Sequence, residues 1–159
     1  DAYGGGFNTK TASTATPNSM TPAQRHHSQG VSLYDSGEYQ KAIEEFSQTI
    51  ELDPQYAEAY YIRGHSYANL GQDERAIEDY DKAIELEPQF AQAYASRASS
   101  YFLLKQDERA IEDYNQAIKI DPNEGYAYYW RGQAHSQLGN SAQSAKDLAK
   151  AEELGYEPD

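Results

Sequence analysis

The chain has 159 residues and no cysteine, and its 26 acidic residues against 13 basic ones leave a net charge of −13. That balance argues against nucleic acid and anionic membranes as partners, because both require Lys and Arg to neutralise phosphate. No run approaches the ~18 apolar residues of a membrane span, and without cysteine there is no disulfide, thiolate metal site or Cys nucleophile.

Residues 1–21 read as a low-complexity N-terminal tail, rich in Gly, Ser, Thr and Asn and without helical or strand periodicity. Such a composition buries too little apolar area to offset its chain entropy. Tyr3 and Phe7 are its anchors. A Ser/Thr/Pro tail that starts at Asp1 fits the mature end of an exported chain, extracellular or periplasmic, although a cytoplasmic chain could read the same way.

The folded part is expected over 22–158. Thr21 can cap a helix, Pro22 suits the first helical position, and Gln24 three residues after the cap completes a capping box. From there apolar residues follow a helical period broken near every seventeenth residue. The pattern predicts eight helices, at 22–35, 39–52, 56–70, 73–86, 90–104, 107–120, 124–138 and 141–154. Gly37, Gly71 and Gly139 end alternate helices where a left-handed residue is easiest for glycine, and Lys105 holds the same place without that freedom. Pro54, Pro88 and Pro122 end the others, since a residue before proline is pushed out of the helical region.

The stretch Ala57–Pro88 returns thirty-four residues later as Ala91–Pro122, and four copies register at 23–56, 57–90, 91–124 and 125–158. Aromatics recur at repeat position 4 (Tyr60, Tyr94, Tyr128) and position 24 (Phe46, Tyr80, Tyr114). Small residues recur at position 8 (Gly30, Gly64, Ala98, Gly132) and position 20 (Ala42, Ala76, Ala110). This pattern resembles the tetratricopeptide repeat family. The resemblance implies an all-α fold, a right-handed α-solenoid of four helix-turn-helix repeats with eight helices. In it small residues let helices approach and aromatics fill the space between hairpins.

Repeat one departs with His26 at position 4. Repeat four departs in its second helix, where Ala145 and Glu152 replace isoleucines and Tyr156 replaces proline. A polar last helix suits an uncovered end of a solenoid, so the array is expected to stop there. Arg63, Arg97 and Arg131 share one repeat position, and Asp79, Asp113 and Asp147 follow each by sixteen residues. Three equivalent Arg–Asp bridges inside the fold are expected, because a buried Arg usually has a dedicated carboxylate.

No residue pattern supports catalysis, a cofactor or a metal. The four histidines form no HExxH motif, and adjacent His26 and His27 diverge by about 100° on a helix. Gly4-Gly5-Gly6 lacks the strand and lysine of a phosphate loop, and the calcium-like Asp121, Asn123 and Gly125 lack the later ligands. What remains is a partner-binding surface. By resemblance, the first helices line a concave groove, here carrying Tyr34, Tyr61, Ile62, His65, Ser99, Phe102, Leu103, Tyr126, Tyr129, Trp130 and Gln133. Some family members clamp acidic chaperone tails with Lys, Asn and Arg at positions that here hold His27, Val31, Ile62, Gln92 and Ser96. That clamp is missing. Aromatics among small polar residues fit a protein or peptide partner instead.

The expected function is a non-enzymatic interaction scaffold holding an extended peptide segment. That segment could be the N-terminal tail of a neighbouring copy, giving a homo-oligomer or filament. The alternative is an adaptor or assembly factor that recruits a separate client, with the tail as a tether.

Overall fold

The computed structural model describes residues 19–158. The Thr21 hydroxyl accepts from the Gln24 N–H at 3.2 Å, and the Gln24 side chain accepts from the Thr21 N–H at 2.9 Å, so the capping box forms in both directions. From this start eight helices follow and no strand appears among the described residues. They are α1 (Pro22–Asp35), α2 (Tyr39–Leu52), α3 (Ala57–Asn69), α4 (Asp73–Leu86), α5 (Ala91–Leu103), α6 (Asp107–Ile120), α7 (Gly125–Gln137) and α8 (Ser141–Glu153). Each agrees with the predicted span to within a residue at either end.

Every odd-numbered helix ends the same way. Gly37, Gly71 and Gly139 take φ of 77°, 70° and 77°, and Lys105 takes 60°. At all four turns the next residue's N–H reaches back to a carbonyl five residues earlier, as from Glu38 to Leu33 and from Gln106 to Tyr101. Such paired bonds satisfy carbonyls that a helix end otherwise leaves open. The fold therefore imposes the left-handed residue at 105 without glycine.

Consecutive helices pack as antiparallel hairpins, and each hairpin stacks on the next. Close approach depends on residues without bulk. A Cβ added at Gly30 would lie 2.7 Å from the Phe46 ring, and one at Gly64 would lie 2.7 Å from the Tyr80 ring. Phe46, Tyr80 and Tyr114 are wholly buried, as are Ala42, Ala76 and Ala110. The core is thus a column of rings seated against small residues, divided into one cluster around Tyr80 and a second around Tyr114.

The three Arg–Asp bridges form as expected. Each guanidinium meets its carboxylate with two bonds: Arg63–Asp79 at 2.8 and 2.7 Å, Arg97–Asp113 at 2.7 Å twice, and Arg131–Asp147 at 2.8 and 2.7 Å. The third nitrogen reaches the preceding repeat, at Ser47, Asp81 and Asn115 respectively. Each Arg therefore joins two hairpins as well as the two helices of one. Arg75 and Arg109 do related work, stacking 4.0 Å over the rings of Tyr67 and Tyr101 while bonding to their hydroxyls.

Candidate partner-binding surface

The odd helices alternate along the solenoid, so α1, α3, α5 and α7 contribute one shared face. The structure divides the eleven residues expected there into two groups. Tyr61, Ile62, His65, Ser99, Phe102 and Tyr126 are buried, none of them more than 9% exposed. All six sit within the packed stack. Tyr34, Tyr129, Trp130 and Gln133 are half-buried, and Leu103 is exposed.

The burial has identifiable causes. Phe90, just before α5, packs its ring on Tyr61 at 4.6 Å, and His65 lies edge-on to Tyr61 at 4.6 Å and to Tyr80 at 5.5 Å. The His65 ring bonds to Ser96 on α5 at 3.0 Å. Full burial pulls its pKa down to about 3, so it stays neutral near pH 7. Ser99 joins the hydroxyls of Tyr114 and Tyr126 at 3.0 and 2.6 Å. Burial raises the pKa of the Tyr61 and Tyr126 hydroxyls, keeping both protonated.

The accessible part is concentrated at the α7 end. Trp130 stands edge-on to Tyr129 at 5.3 Å and to Phe102 at 5.4 Å. Tyr129 also meets Tyr156, from the turn after α8, at 5.3 Å, and accepts from Gln133 at 2.9 Å. Exposed Leu103 ends α5, and just beyond it the Lys105 ammonium lies 5.7 Å from the Phe102 ring. At the other end Tyr34 accepts from Asn69 at 3.3 Å, and burial lifts its pKa to about 12. The tail anchors Tyr3 and Phe7 lie outside the described residues.

Sequence reasoning missed the residues that immediately precede the odd helices. Tyr56 stacks on His27 at 4.7 Å, in the relation that Phe90 bears to Tyr61. Glu124 occupies that register before α7. The signal was present as an aromatic at the last position of two repeats. Among the described residues no group of His, Asp and Glu is placed to hold a metal ion, and no helix is long and apolar enough to cross a membrane.

The stacked hairpins and the shared face of odd helices define a helical-repeat solenoid of the interaction-scaffold class. Models of the TPR repeat match residues 30–71 and 98–139, and tetratricopeptide repeat models match 57–90 and 125–154. The chain belongs to the tetratricopeptide repeat family. No curated protein sequence matches it. Among solved structures, a crystal structure of MamA is 30% identical with a TM-score of 0.81, covering 84% of this chain and 78% of that one. MamA from residue 41 onward of Desulfovibrio magneticus RS-1 is 24% identical, with a TM-score of 0.78 over 84% of this chain and 75% of that one. The first TPR of Spaghetti (RPAP3), bound to an HSP90 peptide, is 24% identical, with a TM-score of 0.73 over 74% and 94%. The last two likenesses concern the fold alone.

Proposed function

We propose that the chain is a non-enzymatic scaffold that holds an extended peptide segment against the face formed by its odd helices. The observation that carries this reading is the half-exposed, edge-on Tyr129–Trp130 pair, with Gln133 bonded to Tyr129. Amphipathic rings flanked by small polar groups are the usual anchors of a peptide interface. The peptide held by RPAP3 offers a precedent for such use of the fold.

Trp130→Ala tests it: capture of a bound peptide weakens at least tenfold while far-UV circular dichroism stays helical. Equal capture by the variant refutes the assignment.

The occupant is in the first instance the residue 1–20 segment of a neighbouring copy, which carries Tyr3 and Phe7. Removing residues 1–20 then lowers the mass measured by light scattering. An unchanged mass excludes that occupant and leaves an adaptor that recruits a separate client.

A further inference from the structure

We infer that Tyr156 is a positioning residue of the peptide-binding face, holding the Tyr129 ring in the orientation that meets the partner. The inference rests on the peptide-binding reading and adds to that face a residue from outside the odd helices. It begins with how the chain leaves α8. The other even helices are followed two residues on by Pro54, Pro88 and Pro122, whereas α8 is followed by Leu154, Gly155 and Tyr156. Gly155 takes φ of 76°, and the Tyr156 N–H bonds to the Ala151 carbonyl at 3.0 Å. This is the turn that ends the odd helices, and here it brings Tyr156 back against the start of α7.

The start of α7 is shaped to receive it. The first repeat position is alanine in three copies, Ala23, Ala57 and Ala91, and glycine in the fourth, Gly125. A Cβ at Gly125 would lie 2.8 Å from the Tyr156 Cβ, closer than such atoms pack, so alanine there would push the turn off α7. Two departures of the fourth repeat, glycine for alanine and tyrosine for proline, are thus complementary.

The Tyr156 ring meets Tyr129 at 5.3 Å and 44°, and Tyr126 edge-on at 5.9 Å. Two rings at the repeat position of Tyr129 are met in the same way, His27 by Tyr56 at 4.7 Å and Tyr61 by Phe90 at 4.6 Å. Tyr61 is buried under its cover, but Tyr129 stays half open. It is held by Tyr156, by Trp130 edge-on at 5.3 Å, and by the bond its hydroxyl accepts from Gln133. A ring fixed before the partner arrives loses less freedom on binding, so Tyr156 raises affinity through Tyr129.

Peptides selected from a random library on the full chain supply the probe, labelled and followed by fluorescence anisotropy. Tyr156→Ala and Gly125→Ala should each weaken the best peptide about fivefold. Tyr156→Phe, which keeps the ring, should bind as the wild type does. Gly30→Ala controls for loss of stability alone. It crowds Phe46 in the first hairpin, at a position where Ala98 is native, and should leave affinity unchanged. Urea midpoints fix conditions at which every variant is folded. Trp130 is the only tryptophan, so acrylamide quenching of its emission reports the unbound face and should rise in Tyr156→Ala. Equal affinity of Tyr156→Ala and the wild type overturns the inference while leaving a peptide-binding face. An equal loss in Gly30→Ala overturns it by assigning the effect to stability, and a loss without a change in quenching overturns it by making Tyr156 a direct contact. Failure to select any peptide overturns the face itself, and this inference with it.

Discussion

Lys105 carries a backbone conformation that the other three hairpin turns assign to glycine, at φ 60° against 70–77°. Its N–H still bonds to the Phe102 carbonyl, and Gln106 to Tyr101, so the turn closes at the expense of backbone strain. That strain is about 1 kcal/mol for a non-glycine residue. The compensating contact of the lysine with the Phe102 ring is worth about 0.5 kcal/mol at an exposed site. Lys105→Gly is therefore expected to stabilise the protein by about 0.5 kcal/mol, read as a higher urea midpoint at unchanged slope. An unchanged or lower midpoint would mean that the lysine contact outweighs the strain. Both the strained site and the Arg–Asp pairs were legible in the sequence, because each depends on one residue type at a fixed spacing. The third bond of each arginine was not. Its acceptor is Ser47, Asp81 or Asn115, and no shared residue type marks that position.

At the scale of the helix, the same property made the groove only half legible. An odd helix packs against its own hairpin partner and against the neighbouring repeats. Tyr61 is also met by a ring from outside any helix, that of Phe90. Helical period alone does not report such a cover.

His27 is a second case, its ring on α1 held between Phe46 of α2 and Tyr56 before α3, with Glu58 as the one charged group close by. Its folded pKa of about 4 lies below the usual 6.5. The unfolded chain thus takes up a proton first as pH falls. Stability from this site is whole above pH 6.5 and is lost between there and about 4, at ~1.4 kcal/mol per pH unit. A His27→Leu variant should lose stability less steeply than the wild type across that window in urea titrations. Parallel slopes would show that the ring is protonated in the folded state.

Over the whole molecule, the repeat made the architecture legible, while the net charge of −13 has a consequence that no single repeat carries. The strongest attractive pairs, Arg63–Asp79, Arg97–Asp113 and Arg131–Asp147, are largely shielded from solvent, whereas most other acids are exposed. Exposed pairs such as Lys82–Glu85 and Lys150–Glu153 contribute ~0.5 kcal/mol or less. Salt should therefore screen repulsion among exposed acids more than it weakens the buried bridges. Raising NaCl from about 10 mM to about 200 mM shortens the screening length from roughly 30 Å to under 10 Å. The urea midpoint should rise over that range, corresponding to a gain on the order of 1 kcal/mol. A midpoint that falls with salt would place the net electrostatic contribution in the attractive pairs. In that case the stack would be held by its ion pairs against a smaller repulsion than the charge count implies.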